Sequence, residues 1–248
     1  MSATPAMPVA PPPLILWDID HTLLSIAGFG REVYARAFAQ ITGRPLVHLA
    51  DMAGRTEQSI ITETLALNGV EVSISFADYY AALGEAARLL QDQMLELGHV
   101  LVGAREALAA FAADGAVQTL VTGNIPSIAA TKLEAFGLSE FVDLEVGGYG
   151  DESGDRAVLV RSAVERAEGK YGYGFTAEHA VVIGDTPHDV RGALDNGALA
   201  VAVATGTSSA EALAAAGADL VLADLRDLTQ LRDLARTRRE ARSTGQSA

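Results

Sequence analysis

No cysteine occurs in the 248 residues. This excludes a disulfide framework and a zinc–thiolate site. Positive charge is scarce: 18 Lys and Arg stand against 32 Asp and Glu, a formal net charge of −14, so no nucleic-acid partner is expected. Lysine is reduced to Lys132 and Lys170. No apolar run is long enough to span a bilayer, and no membrane partner is expected. Residues 1–13 contain neither Lys nor Arg and are rich in proline. A secretory signal needs a basic start and an apolar centre, so this segment reads as a disordered start to a soluble, cytoplasmic protein. Apolar residues, at 49%, are the abundant class. They suffice for one large domain or a domain carrying an insertion.

The apolar run Leu14-Ile15-Leu16-Trp17 stops abruptly at Asp18-Ile19-Asp20-His21-Thr22. A short apolar run bounded by a turn reads as a buried strand of a parallel sheet. Ligands of open α/β sheets bind beyond the carboxyl ends of the strands. One aspartate there commonly makes an Asx turn. Two of them, spaced i, i+2 and followed by a threonine, can hold a hard cation and serve as nucleophile and acid/base.

Further strands are predicted over residues 118–121, 142–146, 180–183, 199–203 and 219–222. Helices are predicted over 104–112, 126–136, 156–167, 187–196 and 208–215. Alternating strands and helices predict a Rossmann-like α/β fold, a three-layer parallel sheet with helices on both faces. About eighty residues after the first strand break the alternation. They carry helical periodicity at 31–41, 57–67 and 76–97 and no convincing strand. The expected organisation is a disordered segment over 1–13, a catalytic core of 14–24 and 99–236, an inserted helical domain over 25–98, and a fraying C-terminal tail over 237–248. Residues 98–103 read as the return hinge and 28–31 as a flexible joint.

Three further segments sit at predicted strand ends or helix starts: Thr122-Gly123-Asn124, Gly150-Asp151-Glu152-Ser153-Gly154-Asp155-Arg156, and Gly184-Asp185-Thr186-Pro187-His188-Asp189. With Asp18 and Asp20, their order and intervals resemble the D-x-D-x-T signature and later motifs of the haloacid dehalogenase-like superfamily, from near residue 14 to near residue 222. The resemblance implies a Mg²⁺-dependent phosphatase of small phosphorylated metabolites, similar to phosphoglycolate phosphatases, with the helical insertion acting as a cap.

On that resemblance Asp18 is the nucleophile and forms an aspartyl-phosphate. The magnesium ligands are an oxygen of Asp18, the backbone carbonyl of Asp20, and Asp185, with Asp189 behind them. Asp20 protonates the leaving alcohol and then deprotonates the attacking water; its separation from the metal is expected to place its pKa above that of Asp18. Thr122, Gly123 and the amide of Asn124 bind the phosphoryl group, although Thr and Asn before Pro126 also suit a helix cap. Asp189 equally suits a helix start after Pro187. His188 carries no role.

Relatives usually place a lysine in the third motif. Here Arg156, just after Asp155 as N-cap, is the expected substitute and Arg161 the second choice. Lys132 lies within the helix after Thr122, and Lys170 closes a helix, where a cation is ordinary. In the insertion, Arg55 of Ala53-Gly54-Arg55-Thr56 can present a guanidinium to the substrate or lie in solvent beside a Thr56 N-cap.

Metal-independent dehalogenation needs no second acid, so Asp20 argues against it. Phosphonate hydrolysis by a Schiff base needs a lysine in the insertion, and residues 25–98 contain none. A phosphosugar mutase shares every core residue and remains an alternative, as does a non-catalytic phospho-acceptor or binding module.

Overall fold

The structure, a computed structural model, describes residues 11–70 and 74–245. Most of the segment expected to be disordered, and the end of the expected tail, lie outside the described residues.

Strand β1 (Leu14–Trp17) is fully buried along its length. A two-stranded antiparallel ribbon, β2 (Leu24–Ile26) with β3 (Gly98–Val100), brackets the helices α1 (Phe29–Thr42), α2 (Glu57–Leu67), α3 (Phe76–Leu89) and α4 (Gln91–Leu97). The chain continues through α5 (Ala104–Ala113), β4 (Val117–Leu120), α6 (Pro126–Ala135), α7 (Arg156–Tyr171), β5 (Ala180–Gly184), α8 (Pro187–Leu194), β6 (Leu199–Val203), α9 (Ala210–Ala215), β7 (Leu220–Leu222) and α10 (Thr229–Gly245). The main sheet runs β4-β1-β5-β6-β7, every neighbouring pair parallel.

Both faces of this sheet are covered. Alternate residues of a strand point to opposite faces, and here they enter two separate apolar cores. Ile15 and Trp17 join Val181 and Ile183 with Leu108 and Phe111 of α5 and Leu231 of α10. Leu14 and Leu16 join Ala180 and Val182 with Leu159 and Val160 of α7 and Val190 of α8. This explains why the strands read as unbroken apolar runs. A third apolar cluster binds α1–α4 together and reaches Ile125 and Ile128 at α6.

Several expectations need correction. No strand forms over 142–146. The Asp143 amide donates to the Gln118 carbonyl of β4 (2.8 Å), but its carboxylate accepts from the Glu145 amide and caps a 3₁₀ turn over Leu144–Val146, and the chain next meets the sheet edge in an isolated bridge between Val121 and Gly148. The helix expected over 76–97 is two helices. Leu90 leaves helical geometry (φ −99°, ψ 13°), and the break lets both Leu90 and Met94 stay buried in the third cluster. The ribbon β2–β3 has no counterpart among the expected strands, because three-residue strands are too short to show periodicity. The residues expected as a joint, 28–31, open α1, with Gly28 as N-cap at φ 71°. The helix expected to fray into the tail at 237–248 is α10, which starts at Thr229 and runs to Gly245.

Among the described residues, no helix is long and apolar enough to cross a membrane.

Candidate active site

The carboxyl ends of β1, β4 and β5 are neighbours in the sheet, so Asp18, Thr122 and Asp185, each just beyond or near a strand end, converge. All three are buried. They line one cavity of about 360 Å³ together with Asp20, Gly123, Asn124 and Arg156, and with residues of α1 and α2.

Arg156, the first residue of α7, is 6% exposed and is the hub of this cluster. Its Nη2 lies 2.9 Å from Asp18 Oδ1. Its Nε donates to Asp189 Oδ1 at 2.8 Å, and Nη2 reaches the same oxygen. Its Nη1 is buried with no hydrogen-bond partner. The alternative, Arg161, is exposed. Lys170 is tied to Asp143 and Glu145 at 2.6 and 2.7 Å, away from the cavity.

Asp189 performs local work as well. Its Oδ2 accepts from the Thr186 amide (3.1 Å) and hydroxyl (2.7 Å), closing a capping box at the start of α8. A Cβ at Gly184 would stand 2.2 Å from Asp189 Cγ, so only glycine lets the strand end pass this close. The carboxylate of Asp185 has no hydrogen-bonding protein partner among the described residues.

Asp18, Asp185 and Asp189 each offer a carboxylate oxygen, and these atoms lie within 4.8 Å of one another. Burial, with Asp189 and Asp20 nearby, pushes the Asp18 carboxyl up to about 7 against the opposing pull of Arg156. Burial and the Asp18 charge push Asp185 up to about 9. Three buried acids facing one arginine are short of positive charge. An all-oxygen donor set of this kind fits a hard divalent cation.

Asp20 turns away from this cluster. His21 takes a left-handed conformation (φ 59°), the only non-glycine residue among those described to do so. The Asp20 carboxylate accepts from Lys132 Nζ at 2.7 and 2.6 Å and from Asn124 Nδ2 at 2.8 Å. Lys132 also donates to Asn124 Oδ1 at 2.9 Å, and Asn124 donates to Thr122 Oγ1 at 2.9 Å. Burial alone would raise the Asp20 pKa, but the Lys132 charge and these hydrogen bonds outweigh it and hold the carboxyl below its usual value. Without a metal, burial therefore holds the Asp18 carboxyl above that of Asp20, and the low value of Asp20 is set by a lysine to which the sequence reading gives no role. A signal for Lys132 does exist. It occupies the buried stripe of α6 with Ile128, Ala129 and Leu133, and a charge in such a stripe requires a partner.

Residues of α1, of the start of α2 and of the segment between them complete the cavity lining. Thr56 caps α2 through the Ser59 amide. The first amides of α2, at Glu57 and Gln58, donate to the carbonyls of Gly123 (2.9 Å) and Gly150 (3.0 Å). A Cβ at Gly123 would fall 2.0 Å from the Arg55 carbonyl, so the two backbones meet there without room for a side chain. Arg55 is among the residues lining the cavity, yet its guanidinium donors go to Glu63, the Asp51 carbonyl and the Ser59 carbonyl.

A doubly covered parallel sheet, with buried acids and an arginine where open α/β sheets bind their ligands, defines an α/β protein with a candidate active site at its strand ends. The model of the haloacid dehalogenase-like hydrolases matches residues 15–194, and the chain belongs to that family. No curated protein matches it. Among solved structures, a hydrolase from Pseudomonas syringae superposes with a TM-score of 0.65 at 21% identity, covering 90% of this chain and 98% of that one. A predicted phosphoglycolate phosphatase from Haemophilus somnus gives 0.62 at 16% identity, covering 89% and 98%. A candidate β-phosphoglucomutase from Thermotoga maritima gives 0.57 at 20%, covering 90% and 99%. At these identities the likeness carries the fold.

Proposed function

We propose that the protein is a Mg²⁺-dependent phosphatase of small organic phosphate monoesters, working through an aspartyl-phosphate on Asp18, with α1–α4 as the cap over the core. One observation carries the reading: Arg156 is buried against Asp18 while its Nη1 faces Gly123 with no protein partner. A buried guanidinium N–H left unsatisfied is costly, and a phosphoryl oxygen on Asp18 would satisfy it.

In this reading Asp18 attacks phosphorus, and Arg156 and the Thr122 hydroxyl stabilise charge on the transferring oxygens. Asp18, Asp185 and the Asp20 carbonyl would hold the magnesium, with Asp189 positioning Arg156 beside it; the ion supplies positive charge against the phosphoryl group and the nucleophile. Asp20 takes up a proton as the ester enters and its pair with Lys132 loosens, and it gives that proton to the leaving alcohol. Restored to its Lys132 and Asn124 partners, the carboxylate then accepts the proton of the attacking water.

The reading is tested with an aryl phosphate as substrate. Phosphate release should depend on Mg²⁺, stop in EDTA, and leave a ³²P label on wild-type protein, but not on Asp18→Asn, when a labelled ester is quenched in acid. A phosphosugar mutase is the second reading, favoured by the likeness to the Thermotoga maritima structure. Transfer to a sugar hydroxyl in preference to water would select it.

A further inference from the structure

The cations of the cavity are unevenly available. Lys132 is held on Asp20 at 2.6 Å, Arg156 on Asp18 at 2.9 Å, and Arg55 on Glu63. Arg31, in the first turn of α1, lines the cavity at its exposed rim. Among the described residues, the buried cations of the cavity are therefore each committed to an acid, and Arg31 stands only at its solvent edge.

Glu57 is the opposite case. It is the first residue of α2, it lines the same cavity, and it is 4% exposed. A glutamate in a first helical turn is ordinarily solvated, since the helix dipole acts on it from outside. Here its carboxylate turns inward and accepts a hydrogen bond from the Tyr34 hydroxyl of α1. It forms no ion pair with any Lys, Arg or His among the described residues. Its own amide is already used on the Gly123 carbonyl, so the side chain is not needed to dock the helix. The cavity it lines also has an apolar part, from Phe29, Val33, Ile60 and Ile128. The hydroxyls of Tyr79 and Tyr80, buried without partners, both feel the Glu57 charge. A buried carboxyl with one neutral hydrogen-bond donor, and with the Lys132 charge nearby already committed to Asp20, is poorly compensated. A ligand that donates hydrogen bonds would complete it.

We propose that Glu57, with Tyr34, is the specificity-determining pair of this site: it receives a hydroxyl or ammonium substituent on the organic half of the phosphate ester, and the cavity disfavours esters whose organic half ends in a carboxylate. The inference rests on the phosphatase reading and narrows it, because it moves the substrate class away from phosphoglycolate.

The test compares kcat/KM for three esters of one size, 2-hydroxyethyl phosphate, phosphoethanolamine and phosphoglycolate, with p-nitrophenyl phosphate as reference. Wild-type protein should prefer one or both donor-bearing esters to phosphoglycolate by about tenfold or more. Glu57→Gln should reduce that preference by roughly tenfold, and Tyr34→Phe should move it in the same direction by less. A larger loss for phosphoethanolamine in Glu57→Gln identifies the ammonium as the recognised donor, and equal losses identify the neutral hydrogen bond. Phosphoglycolate turned over as well as the donor esters by wild-type protein overturns the proposal whether or not the variants fold. So does a preference that stays unchanged in both folded variants. In either case turnover of the aryl phosphate keeps the phosphatase reading standing. Absence of hydrolysis of all four esters in Mg²⁺ removes that reading, and this proposal with it.

Discussion

Arg156 Nη2 lies 2.9 Å from Asp18 Oδ1, so the cation that opens α7 bears directly on the acid that follows β1. Removing it would leave Asp18, Asp185 and Asp189 buried without a protein cation. Breaking a buried pair from one side typically costs about 3–5 kcal/mol, and the phosphoryl group would lose a donor as well. Arg156→Ala should therefore lower the melting temperature and reduce kcat by about 100-fold or more. Arg156→Lys keeps the charge and most of the stability but cannot reproduce the planar contact with both Asp18 and Asp189, so its kcat should stay low. Lys170→Ala is the control. Its partners are at the surface, where pairs contribute about 0–1 kcal/mol, and turnover should be nearly unchanged. A strong loss in Lys170→Ala alongside an active Arg156→Ala would place the cation elsewhere.

The nucleophile is tested more directly. Asp18→Asn keeps the shape of the side chain, removes its nucleophilicity, and relieves the crowding of buried acids. It should fold at least as well as wild type in metal-free buffer while losing on the order of 10⁴-fold or more in turnover. The melting curve and the steady-state rate measured on one preparation decide the matter, since appreciable turnover from folded Asp18→Asn protein is incompatible with covalent catalysis at that position.

Lys132 reaches both oxygens of Asp20 and the Asn124 side chain. Proton transfer by a positioned side chain contributes roughly 10²–10⁴-fold. Lys132 acts through Asp20, so Lys132→Met should cost less than Asp20→Asn, about tenfold to 100-fold in kcat. The double variant Lys132→Met/Asp20→Asn should be little worse than Asp20→Asn alone, because the two groups work as one unit. Fully additive losses would separate Lys132 from the acid/base.

The sheet was legible in the sequence because a parallel strand buried on both faces is a plain apolar run: residues 14–17, 180–183 and 199–203 read correctly on that basis. Helix starts with a proline at the first position, Pro126 and Pro187, were legible for the same local reason. What stayed hidden depends on distant partners. Nothing near Asp143 says that its side chain will cap a turn rather than continue a strand. The pairing of β2 with β3 joins segments more than seventy residues apart. Lys132 and Asp20 lie 112 residues apart, and Glu57 is indistinguishable in sequence from any solvated glutamate in a first helical turn. Arg55 shows the converse: the motif around it left a substrate contact and a solvent position beside a Thr56 N-cap both open, and while Thr56 does cap α2, the Arg55 guanidinium is engaged by Glu63 and two nearby carbonyls.

Asp185 and Asp189 differ in what already occupies them, and that difference sets the outcome of metal titration. Both Asp189 oxygens are used, one by Arg156 and one by Thr186, whereas the Asp185 carboxylate has no hydrogen-bonding protein partner among the described residues. Asp185 also has the stronger reason to gain a cation, since burial and the Asp18 charge push it up to about 9 in the protein alone. Asp185→Asn should raise the Mg²⁺ concentration for half-maximal activity by at least tenfold. Asp189→Asn should act chiefly on kcat and on folding, by unsettling Arg156 and the cap of α8, with a smaller change in metal demand. The same ranking should appear without turnover: Mg²⁺ should raise the melting temperature of wild type and of Asp189→Asn, and much less that of Asp185→Asn. Equal thermal shifts in the two variants would mean that Asp185 does not hold the ion. Full activity in EDTA-treated, metal-free protein would mean that the buried acids serve a reaction without a cation.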